Sequence, residues 1–188
     1  MRHLKIHLNI ILSIFLAVIL MSAGLFCTVS AKIEDFVIVS SASCDSTASK
    51  ELWRFILSET KLSAENANLH KIYASDCRGV FYDLDDDGVD EIIGTHYATG
   101  PKSLGYNIMY ILKRKENNNY EKISFRVYFT PNNPVFILKS KTKEFHDLKC
   151  YNGKTEKDTT VVYSKSINKY VDESKQKALE REFKEMYY

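Results

Sequence analysis

A charge surplus of either sign is missing from this chain. Lys and Arg number 26 and Asp and Glu 24, a formal net charge of +2. Arg2 and Lys5 lie in residues 1–31, which hold no Asp or Glu, so the rest of the chain carries 24 of each sign. That balance gives no broad electrostatic pull toward nucleic acid or a membrane surface. No Gly-rich phosphate loop follows a strand and opens a helix. No serine sits on a Gly-flanked elbow, and Ser103 lacks that frame. His70, His96 and His146 are too scattered for zinc spacing. Cysteine is scarce at four residues, and there is a single Trp, Trp53, for which core packing is expected.

What is present suits one globular domain. The 188 residues are 45% hydrophobic and 27% charged, with 12 Tyr and 10 Phe to build a core. The N-terminus reads as a targeting segment. Arg2 and Lys5 precede an apolar run, Leu8 to Leu20, broken only by Asn9 and Ser13. Val29, Ser30 and Ala31 then offer a signal-peptidase site after Ala31. The expected organisation is a signal peptide over 1–31 and a single exported domain over 32–188. An uncleaved anchor is the rival, because Leu8 to Val29 has the length of a membrane span. Cys27 follows Leu25 and Phe26, which does not suit lipid attachment.

Removal of the segment leaves Cys44, Cys77 and Cys150, an odd number in an oxidising compartment. Three pairings are open. Cys44–Cys77 is the favoured one, since it would clip the N-terminal region to a strand; buried thiols are the alternative.

Along the domain, Phe36 to Val39 can form a short strand. Ser46 or Thr47 can cap a helix in which Leu52, Phe55 and Ile56 share one face. Strand-like segments follow at Val80–Tyr82, Glu91–Tyr97, Tyr106–Lys113, Tyr120–Phe129, Val135–Lys139, Asp147–Tyr151 and Thr159–Tyr163. Lys115–Asn119, Pro131–Pro134 and Asn152-Gly153 read as hairpin connections. Asp172 can cap a tail helix with Leu179, Phe183 and Met186 as its apolar stripe. Glu180–Lys184 and Arg181–Glu185 are expected as ion pairs on it. The fold class expected is α+β: an antiparallel meander of about six to seven strands with an N-terminal helix and a C-terminal amphipathic helix.

The chemistry concentrates in FYDLDDDGVDEIIG, residues 81–94. Asp83, Asp85 and Asp87 stand at alternate positions, followed by Gly88, Asp90 and Glu91. So many carboxylates in one turn repel each other unless a hard cation sits among them, and oxygen-only ligands suit Ca²⁺. Gly88 falls at the sixth loop position, where the chain must turn sharply. An EF-hand needs Glu at position twelve, which is Gly94 here, so that reading fails. Glu91 closes a shorter loop at position nine. The expected ligands are the side chains of Asp83, Asp85, Asp87 and Glu91 with the carbonyl of Val89, while Asp90 faces away or stands behind the ligands. An acidic turn without metal is the plain alternative.

This DxDxDGxxE stretch and its flanking strands resemble the FG-GAP/VCBS-type calcium loop of integrin-like and bacterial extracellular β-proteins. The resemblance covers about a dozen residues and implies a metal-stabilised hairpin in an exported bacterial protein. It does not extend to a whole propeller: there is no second acidic loop, and the chain is too short for four to eight blades plus two helices.

A second candidate site is the longest inter-strand loop, residues 98–105, bordered by His96, Tyr97, Lys102 and Tyr106, where exposed backbone on a rigid sheet suits binding. Two functions follow. One is a secreted or periplasmic module with structural calcium that binds a protein or glycan partner, with no nucleic acid and no membrane span after cleavage. The other is a small extracytoplasmic metal-dependent hydrolase. In the second the acidic loop would bind substrate through the metal. A separate Cys77 or Cys150 nucleophile with His146 stays open, although export favours structural cysteines, and no catalytic residue is assigned.

Overall fold

A computed structural model describes residues 33–40, 42–69, 73–97 and 107–187, all within the unit Lys32–Tyr188. The signal-peptide reading, Cys27, His70, Lys102, Tyr106 and the 98–105 loop lie outside the described residues. The fold is α+β, with antiparallel strands in three sheets, three helices and no closed barrel among those residues.

Strands β2 (Cys77–Tyr82), β3 (Glu91–His96), β5 (Tyr110–Arg114) and β6 (Tyr120–Lys122) form one sheet in chain order. A five-stranded sheet takes β1 (Ile33–Ile38), β8 (Pro134–Thr142), β9 (Phe145–Asn152), β10 (Lys157–Ser164) and β11 (Lys169–Asp172), in that order. The short strands β4 (Asn107–Ile108) and β7 (Tyr128–Phe129) pair only with each other. There are more strands than expected because two of the anticipated segments are split and because β11 matches none of them. Tyr106–Lys113 breaks at Met109 and Tyr120–Phe129 breaks over residues 123–127. At that break the Ser124 hydroxyl donates to the Met109 carbonyl at 2.8 Å and accepts from the Ile111 N–H at 3.1 Å. A side chain thus replaces one rung of the backbone ladder.

Alternation decides which face each strand buries. Val80, Ile93 and Ile111 of the four-stranded sheet meet Val135, Ile137, Leu148, Val161 and Tyr163 of the five-stranded sheet in one core. On the other face of the four-stranded sheet, Ile92 and Leu112 meet Ala48, Leu52, Phe55 and Ile56 of helix α1 (Ser46–Thr60), with Trp53 packed alongside. The Asp45 carboxylate caps α1, accepting from Thr47 N at 2.7 Å and Ala48 N at 2.9 Å. The helix comes close to the sheet because Gly79 and Gly94 are register partners. A Cβ on Gly94 would stand 2.6 Å from the Arg78 carbonyl oxygen and 2.7 Å from Leu52 Cδ2. A short helix α2 (Ala64–Leu69) follows α1.

Helix α3 (Gln176–Tyr187) packs Leu179 with Val162, Ile167 and Val171, and sets Phe183 edge-on to Phe125 at 5.1 Å. Met186 is not part of the buried stripe; it is 54% exposed. The Glu180 carboxylate accepts from Ser164 Oγ and from Gln176 Nε2, in place of the expected bond to Lys184. Asp172 caps the 3₁₀ turn Glu173–Lys175 that leads into the helix.

Lys115–Asn119 closes a hairpin, with Lys115 N donating to Asn119 O at 2.7 Å. Asn152-Gly153 begins a four-residue connection whose left-handed residue is Glu156 (φ 55°), not the glycine. Pro131–Pro134 joins no hairpin. It carries the chain from β7 to β8, which belong to different sheets, because neither proline can donate into a shared ladder. The structure shows no disulfide among Cys44, Cys77 and Cys150, so the Cys44–Cys77 bridge finds no support in it.

Candidate metal centre

The acidic loop is the connection between β2 and β3, whose register closes on Tyr82 opposite Glu91. It is wound by its own carboxylates. Asp83 Oδ2 accepts from Gly88 N at 2.9 Å and Oδ1 from Asp87 N at 3.2 Å. Asp87 Oδ1 accepts from Val89 N at 2.8 Å. Glu91 Oε2 reaches back across the loop to Leu84 N at 2.9 Å. Two backbone positions turn left-handed, Asp86 at φ 58° and Gly88 at φ 82°.

The loop is fastened from below. Leu84 points into the core between the sheets and is fully buried. At the tip, Asp86 meets the Lys141 ammonium and lies 3.3 Å from His146 Nε2. The His146 Nδ1 is 2.7 Å from the Leu138 carbonyl, so Nδ1 carries the proton and donates. The bonds of Asp86 to Lys141 hold its carboxyl below the ordinary value, and His146 adds to this.

Three carboxylates converge. Asp83, Asp85 and Glu91 each offer an oxygen, all within 4.8 Å of one another. That span is about twice a calcium–oxygen bond of about 2.4 Å. The Asp85 side chain is 4% exposed and the Glu91 side chain 1%. Asp85 Oδ1 and Glu91 Oε1 are both buried and accept no hydrogen bond. A buried carboxylate oxygen with no donor is costly. Burial pushes the Glu91 carboxyl up to about 7, against the pull of the Leu84 N–H, and the Asp85 charge adds to the rise. The donor set is entirely hard oxygen. Such a donor set suits a hard cation.

Asp87 stands at the edge of this cluster, bound to Val89 N and 3.4 Å from the Lys113 ammonium. Val89 is 44% exposed, and its N–H is taken by Asp87. Asp90 is exposed. Lys113 is the group that the sequence did not point to. It extends from β5 on the same face as Ile111, hydrogen-bonds Asp85, and lies 3.8 Å from Glu91 Oε1 and 4.9 Å from the centre of the Phe145 ring. A lysine two residues from an inward isoleucine was its one sequence signal.

No protein-family model, curated protein or solved structure matches the chain. The likeness to the FG-GAP/VCBS loop rests on the acidic pattern and its flanking strands alone.

His96 and Tyr97 lie at the far end of the same hairpin. His96 pairs with Cys77, five residues from the Tyr82–Glu91 pair, a distance of about 17 Å along a strand. Burial holds the His96 imidazole below its usual value, and the Asp76 charge opposes this. Tyr97 N donates to the Asp76 carbonyl at 2.8 Å, and the Arg78 guanidinium sits 5.8 Å from its ring centre. The structure therefore separates these two residues from the acidic loop. No helix among the described residues is long and apolar enough to cross a membrane.

Proposed function

We propose that the protein is an exported calcium-binding β-rich module whose metal is structural. Asp83, Asp85, Asp87 and Glu91 hold the ion, with the Val89 carbonyl as a further ligand. A protein or glycan partner engages the other end of the hairpin. The observation that carries this reading is the pair of buried, undonated oxygens on Asp85 and Glu91, converging with Asp83. A divalent ion satisfies both and cancels the repulsion among the acids.

A structural role suits the geometry. The loop joins two core strands through Leu84 and Glu91, so an ion there ties the hairpin closed. Export supports the same reading, because extracellular modules bind calcium at about 10⁻⁴–10⁻³ M and stay filled outside the cell. The apolar run and the small residues before Lys32 support export.

The test is thermal melting of the purified protein in CaCl₂, in MgCl₂ and in chelator. Calcium at 100 times its dissociation constant should add about 2.7 kcal/mol of stability. Magnesium should add less. Identical melting in calcium and in chelator, with no calcium uptake at millimolar concentration, overturns the proposal.

A further inference from the structure

We infer that Lys113 is a built-in competitor for the cation at this loop and sets its calcium affinity in a weak range. The inference rests on the calcium reading above. Among the described residues, the Lys113 ammonium is the one cation that meets three of the proposed ligands: it hydrogen-bonds Asp85, stands 3.4 Å from Asp87 Oδ2 and stands 3.8 Å from Glu91 Oε1. It comes from β5, whose ladder to β3 is fixed by Ile92↔Leu112 and Ile93↔Ile111, so its stem is held beside the loop. The Phe145 ring lies against its ammonium, and Phe145 is itself stacked on Tyr163 at 4.3 Å.

One ammonium satisfies this cluster only in part. It leaves Asp85 Oδ1 and Glu91 Oε1 without donors while neutralising a single charge. A divalent ion among the same oxygens would meet a positive charge close by. At about 4 Å, even with the dielectric of bulk water, that repulsion weakens binding by about thirtyfold. Calcium must therefore push the ammonium aside or bind against it, and either route lowers affinity. In return, Lys113 holds the loop together before the ion arrives.

The experiment is calcium titration by calorimetry on the wild type, Lys113→Gln and Lys113→Met, with melting of each in chelator. Lys113→Met keeps an apolar stem against Phe145. Either variant should bind calcium about tenfold more tightly or better, and both should melt lower than the wild type in chelator. Lys113→Arg, which retains the charge, should bind no more tightly than the wild type. Calcium binding by the wild type with equal or weaker binding by both neutral variants overturns this inference and leaves the calcium reading standing. No binding by any of the four proteins overturns the calcium reading and the inference with it.

Discussion

The backbone N–H of His146 donates to the carbonyl of Leu84 at 2.8 Å, so a strand of the five-stranded sheet holds the acidic loop of the other sheet. The same histidine accepts at its carbonyl from the Tyr170 hydroxyl, at 2.8 Å, and Tyr170 is fully buried. The loop is thus tied into the core rather than hung from it.

Leu84 should therefore behave as a core residue although it stands among aspartates. Leu84→Ala leaves a cavity between the sheets and should cost about 3 kcal/mol. Urea unfolding followed by circular dichroism measures it. A cost below about 1 kcal/mol would show that the loop is not seated in the core.

The two glycine sites should differ in kind. A Cβ at Gly88 meets nothing within 4 Å, so Gly88→Ala suffers only from the left-handed backbone, about 1 kcal/mol. At Gly94 the new methyl collides with backbone and with Leu52, so Gly94→Ala should cost more, about 3 kcal/mol. Gly88→Asn should recover part of the smaller loss, because Asn tolerates the left-handed region. Reversal of the order between Gly88→Ala and Gly94→Ala contradicts the close approach of α1.

Glu91 should give the metal-free protein an inverted acid response. Its carboxyl is pushed by burial from 4.5 up to about 7. The folded protein therefore keeps a proton that the unfolded chain releases. The stability from this group is full below about pH 4.5 and is lost as pH rises through about 7. In chelator, the melting temperature should rise between pH 8 and pH 6, and Glu91→Gln should flatten that slope. Equal slopes for both proteins would remove Glu91 as the cause.

Cys77 and Cys150 should be chemically quiet. Burial pushes both thiols up to about 12, with Asp76 adding to Cys77 and Asp172 to Cys150. At pH 8 only about one in ten thousand would be thiolate. Iodoacetamide labelling read by mass spectrometry should leave both unmodified in the native protein and label both in urea without reductant. Cys77 protected in urea but labelled after reduction would reveal a disulfide.

Much of this was legible in the residues because it is local. The start of the first helix (capped by Asp45 rather than by Ser46 or Thr47), the Lys115–Asn119 turn, the tail helix and the alternate aspartates each depend on spacings of a few residues, where backbone geometry alone sets what can meet. The pairing of β4 with β7, the break at Met109 and the passage from one sheet to the other at Pro131–Pro134 came only with the folded chain. So did the contacts of Lys113 with Asp85, 28 residues apart, and of His146 with Asp86, 60 apart. The acids are determined by the sequence, and their surroundings by the packing of two sheets. The physical reason is that a long-range contact leaves no period in the chain: what places an ammonium beside a carboxylate is the burial of the apolar neighbours around both.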